Sequence, residues 1–228
     1  MFFYDHYYLI LVVPAIIISL IAQMKVTSTY KKYSQQLSHG GKTAKEITRM
    51  ILDMNGLQNV RIESVSGSLS DHYDPGAQVI RLSDSVRNDI SVASIGVAAH
   101  EAGHAIQHAQ GYTPIKLRNT ILPVANIGSR LSVPLILLGI ILSFEPLVTF
   151  GILAFSAVLL FQVVTLPVEF NASNRALATL KANNILSGEE LSGAKKVLSA
   201  AAMTYVSAVL VSAMQLLRLV LISRNRRN

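Results

Sequence analysis

The feature that most constrains this chain is a set of long runs without a charged side chain. Residues 7–24, 147–168 and 197–217 contain none. About 20 apolar residues in a helix cross the hydrocarbon core of a bilayer, so each run is read as a membrane span. A fourth run, 131–144, is short by itself and extends backwards through 121–128, with Arg130 snorkelling or buried against protein. The 228 residues are 51% hydrophobic and 14% charged, against about 25% charged in soluble domains. That deficit sits in the runs rather than in a large core. The predicted fold is a mainly α membrane protein in which a small α+β domain with a short sheet is fused to three or four transmembrane helices.

The net charge of +7 invites a nucleic-acid partner, but its placement excludes one. Lys25, Lys31, Lys32, Lys42 and Lys45 follow the first run, and Arg218, Arg224, Arg226 and Arg227 flank the last. Basic residues gathered at span ends mark the cytoplasmic side, and no aromatic-basic interleaving of a strand-binding groove is present. The expected partner is the lipid bilayer. Asp5 precedes the first run, with neither a basic start nor a small-residue cleavage site, so a retained helix is expected rather than a signal peptide. Cysteine is absent, which removes disulfides, thiolate catalysis and thiolate-held zinc. Charge placement leaves one conflict: four crossings put Arg224 to Arg227 on the side opposite Lys25, against the rule, unless the last helix does not fully cross.

Residues 25–119 read as the water-soluble part. Thr43-Ala44-Lys45-Glu46 has the form of a capping box, opening a helix that should stop at Gly56. Residues 60–65 alternate as a strand, Asp74-Pro75-Gly76 is turn chemistry, and 78–82 read as a second strand offering an edge to an extended peptide. Residues 91–110 form an Ala-rich helical stretch closed by Gly111. The predicted organisation is a first span over 1–24, a soluble part over 25–119, a helical hairpin over 120–168, a polar segment over 169–196 and a C-terminal apolar helix with basic tail over 197–228.

The Ala-rich helix carries His100-Glu101-Ala102-Gly103-His104. Histidines four apart share a helix face, so both imidazoles can approach one Zn²⁺ at about 2.0–2.1 Å. Glu101, offset around the helix, is placed to act as general base towards a water that zinc makes acidic near about pH 7. Chance produces this pattern in roughly one chain in a hundred of this length. Its position among Ala98, Ala99, Ala102, Gly103 and Ala105, which leave room for a metal, favours the metal site. The expected cofactor is one Zn²⁺ per chain.

A third ligand is required. His108 lies two turns from His100 with no break to swing it round, and the metzincin position, six residues past the second histidine, is Gln110. Glu169, at the end of the run 147–168, is the candidate; Glu189 and Glu190 are better explained by a capping box opened at Ser187. His72 and Tyr73 have the chemistry of oxyanion donors but read more simply as turn residues before Pro75. The uncharged stretch before His100 begins only at Ile90, too short to immerse the site at mid-bilayer as a site-2-type protease needs.

These residues resemble gluzincin metallopeptidases, whose integral-membrane HtpX-like and CAAX-processing members pair the motif with a later Glu-x-x-x-Asp. Here Ser173 stands where those relatives have aspartate. A nearer resemblance is to the bacterial YugP-like family of neutral zinc metallopeptidases. It is carried by Ala22-Gln23-Met24, residues 69–75 (Leu-Ser-Asp-His-Tyr-Asp-Pro), residues 98–107 around the motif, and Leu166-Pro167-Val168-Glu169-Phe170. The resemblance implies a membrane-bound zinc metalloendopeptidase in the bacterial cell membrane, its site facing the cytoplasm. His100, His104 and Glu169 would be the ligands, Glu101 the base, and peptides or proteins, membrane proteins among them, the substrates. A non-enzymatic zinc-binding membrane protein is the alternative.

Overall fold

The computed structural model describes residues 5–67 and 69–225, so Arg226 and Arg227 of the expected basic tail lie outside it. Contacts divide the chain into two units. One comprises Met24–Ile115 and Val168–Ala202, and the other holds the remaining segments, centred on Lys116–Pro167.

In the first unit, Thr43 opens helix α2 (Ala44–Met54) as a reciprocal cap. Its hydroxyl accepts from the Glu46 amide, and the Glu46 carboxylate accepts from the Thr43 amide at 2.8 Å. The chain leaves α2 through Gly56 in the left-handed region, φ 73°, where the stop was expected. Ile47, Ile51 and Leu52 form one helical stripe, and all are buried against helix α4 (Val92–Ala109) and the sheet. Each contributes about 1.5–3 kcal/mol of burial.

The sheet has three strands, β1 (Arg61–Val65), β2 (His72–Asp74) and β3 (Val79–Ser83), in the order β1-β3-β2. β1 runs parallel to β3, and β2 antiparallel. The strand expected to offer an edge, β3, is therefore central, with Val79, Ile80, Leu82 and Ser83 all buried. The edges belong to β1 and to the unforeseen β2, whose three residues are too few to show alternation. The turn after β2 uses the Asp74 carboxylate, which accepts from the Gly76 and Ala77 amides at 3.0 Å each. The short helix α3 (Asp84–Arg87) leads to α4, which Ser91 caps by accepting from the Ser94 amide and Gly111, φ 64°, closes.

Among the described residues four helical stretches are long and apolar enough to cross a membrane: Tyr8–Tyr33, Thr113–Ile141, Glu145–Ala182 and Gly188–Arg224. The first is a π-helical turn (Tyr8–Val12) running into helix α1 (Val13–Tyr33), and the others are α5 (Thr113–Ile141), α6 (Glu145–Ala182) and α7 (Gly188–Asn225). The mainly α membrane architecture with a small sheet is the one expected. At 38 residues α6 is about 57 Å long, nearly twice the hydrocarbon thickness. Its part from Val168 onward belongs to the first unit.

In the second unit α5 and α6 meet through glycines. A Cβ on Gly139 would stand 2.7 Å from the Val148 nitrogen, and one on Gly151 2.9 Å from the Ser132 carbonyl oxygen. Arg218 of α7 is not left in lipid: its Nε donates to the Asp5 carboxylate at 2.9 Å, and its guanidinium lies 5.2 Å from the Tyr8 ring centre. Arg130, by contrast, is exposed.

Candidate metal centre

The alanines of α4 let other helices approach it. Ala98, Ala99 and Ala102 are wholly buried, and alanine combines small volume with the best helix propensity. At Gly103 the approach is closest, since a Cβ there would stand 2.7 Å from the Ala172 carbonyl oxygen. The α4 and α6 backbones touch at this point, which brings Glu169, one turn before Ala172, against the histidine pair.

The His100 and His104 rings stand edge to face, and their Nε2 atoms are 3.1 Å apart. Glu169 Oε2 lies 3.3 Å from the first and 3.6 Å from the second. Tetrahedral zinc with bonds of about 2.0–2.1 Å separates its ligand atoms by about 3.3 Å. The observed spacings bracket that value. Glu169 Oε2 is also buried without a hydrogen-bond partner among the described residues, a deficit worth about 1–3 kcal/mol. Two imidazoles and one carboxylate, leaving a fourth position, are a donor set of catalytic zinc sites. His100, His104 and Glu169 thus form a group able to hold a metal ion.

The outer nitrogens of both rings are engaged. His100 Nδ1 is 3.1 Å from the Ser173 hydroxyl, and His104 Nδ1 is 3.0 Å from Gln107 Oε1. Burial opposes protonation of His104, but the carboxylates of Glu169 and Glu101 outweigh it and hold its pKa above the usual imidazole range. A field that favours a proton there also favours a metal cation. Glu101 is buried, 8% exposed, and makes no hydrogen bond or ion pair among the described residues. Its carboxylate is uncommitted beside the cluster.

The other sequence candidates lie elsewhere. His108 Nδ1 is 2.9 Å from the Tyr73 hydroxyl, which joins α4 to β2. His72 is exposed and bonded near Ser70 and Arg81. The Glu190 carboxylate, expected in a capping box with Ser187, interacts with the Ser187 amide and also accepts from the His39 amide at 2.7 Å and contacts its ring at 2.6 Å. The pull of a backbone amide 151 residues away was not visible locally. Sequence reading also passed over Gln107, which is fully buried beside His104. Its place three residues past the second histidine, on the ligand face of α4, was the available signal.

The chain belongs to a zinc metallopeptidase family: the family model described as "Putative neutral zinc metallopeptidase" matches residues 8–224. It is 46% identical over 221 residues to a Bacillus subtilis (strain 168) protein named "Putative membrane protease YugP", covering 97% of this chain and 98% of that one. No solved structure matches.

Proposed function

We propose that this chain is a membrane-bound zinc metalloendopeptidase in which His100, His104 and Glu169 hold the metal and Glu101 is the general base. The observation that carries the reading is the buried, unpartnered Oε2 of Glu169 facing two Nε2 atoms at ligand-to-ligand spacing. Zinc bound there supplies Lewis acidity that polarises a peptide carbonyl and brings water towards ionisation near neutral pH.

The remaining work falls to the chain. Glu101 takes a proton from the attacking water on its carboxylate and returns it to the leaving amine nitrogen. The edge strand β2 packs against α4, and its free side suits an extended peptide that adds as a further strand. Lys25, in the second half of α1, and Lys31 and Lys32, in its last turn, support a cytoplasmic orientation of the site.

Glu101→Gln is expected to reduce peptide cleavage by about 10²–10⁴-fold while the protein keeps about one zinc per chain by elemental analysis. Cleavage that persists in this variant would remove Glu101 from the role of base. Glu169→Ala is expected to lose the metal; full zinc occupancy in it would place the third ligand elsewhere.

A further inference from the structure

Gln107 has no exposed surface, yet each of its polar groups is used. Its Nε2 donates to the Val168 carbonyl at 2.9 Å and to Asn171 Oδ1 at 2.9 Å, and its Oε1 faces His104 Nδ1 at 3.0 Å. The amide cannot be reversed, because reversal would set its oxygen against the Val168 carbonyl oxygen. Asn171 is fixed in turn. Arg175 Nε donates to Asn171 Oδ1 at 2.7 Å, and its second arm donates to Gln110 Oε1 at 2.6 Å. A guanidinium only donates, so the Asn171 atom facing both Arg175 and Gln107 is its oxygen.

The consequence reaches His104. An amide oxygen only accepts, so the hydrogen between Gln107 Oε1 and His104 Nδ1 must be carried by the histidine. In a neutral imidazole this leaves Nε2 with a lone pair, and Nε2 is the atom that faces His100 and Glu169. His100 lacks such a constraint. Its partner is the Ser173 hydroxyl, which either donates or accepts. The two histidines are thus held differently.

We infer that Gln107 is the positioning residue that commits His104 to the tautomer with Nδ1 protonated, and that Asn171 and Arg175 hold the Gln107 amide in the orientation that does so. The inference rests on the zinc-site reading above. It also joins two ligands, since Val168, which anchors the amide, immediately precedes Glu169. Gln107 therefore ties the ring orientation on α4 to the register of α6.

The test uses the full-length protein in detergent micelles. Nitrogen NMR of the zinc-loaded wild type, labelled in histidine, is expected to show His104 protonated at Nδ1 and metal-bound at Nε2. The reverse assignment overturns the inference without needing any variant. Zinc affinity is then measured by competition with a chromogenic chelator. Gln107→Met, similar in size but with only a weakly accepting thioether in place of the amide, is expected to bind zinc about 10–100-fold more weakly than wild type. Affinity unchanged from wild type overturns the inference while leaving the metal reading intact. If instead the wild type binds no zinc, or His100→Ala and His104→Ala bind it as tightly, the metal reading fails and this inference goes with it.

Discussion

In the unit built from Met24–Ile115 and Val168–Ala202, Ile51, Leu52, Ile80 and Ile95 are withdrawn from the surface, whereas in the other unit Ile10, Ile127, Leu142 and Phe150 are more than half exposed. In water the second pattern would be costly. In lipid it costs nothing, because acyl chains are as apolar as leucine, and helices there must cohere by close packing. Hence the glycine contacts at Gly139 and Gly151. The same device at Gly103 has another outcome, because the helices it brings together carry the His100, His104 and Glu169 side chains able to hold a metal ion. The units also treat buried charge differently. Arg218 is matched by Asp5, while Glu169 keeps one oxygen unmatched. A stable fold tolerates such a deficit where a cation can meet it.

A pair of substitutions tests that contrast most severely. Gly103→Leu is expected to force α4 from α6, with loss of zinc and about 1–3 kcal/mol of stability from overpacking. Gly151→Leu should cost about as much stability but keep its zinc, as read by elemental analysis beside thermal unfolding in detergent. Zinc loss in both would erase the functional difference between the two close approaches. A smaller effect is expected at the ion pair: Arg218→Leu leaves Asp5 without its cation and should cost about 1.5–3 kcal/mol. Adding Asp5→Leu should recover most of that loss, since an apolar pair replaces a matched charge pair at little cost. A double variant no more stable than the single one would show that the pairing is not what stabilises Arg218. Smallest is Thr43→Ala, expected to cost about 1 kcal/mol through the lost cap with zinc affinity unchanged. A change in affinity there would couple the start of α2 to the metal group.

What the sequence disclosed was whatever depends on near neighbours. The apolar character of the long helices, the Thr43 cap, the closing Gly111 and the one-turn spacing of His100 and His104 are properties of short windows, and they were legible; the full extent of α6 and α7, 38 residues each, was not. Glu169 was named as a candidate from the need for a third donor, and the structure brings it to the histidine pair. The strand order was not legible, because nothing in residues 79–83 distinguishes a central strand from a buried edge. Nor was the second partner of Glu190, the distant His39 amide. Gln107 was overlooked because its role depends on the Val168 carbonyl, 61 residues later.

The partnership of Asp5 with Arg218 also has a consequence in time. The two are 213 residues apart, so at about 5–20 residues per second the first waits roughly 10–40 s for the second to be synthesised. Meanwhile its carboxylate has a local partner in the Tyr8 amide at 2.9 Å. The segments that supply the histidine pair and Glu169 end at Ala202, before Arg218 is made. The order of synthesis therefore allows the metal-binding group to be assembled before the last helix delivers the arginine that completes the membrane unit.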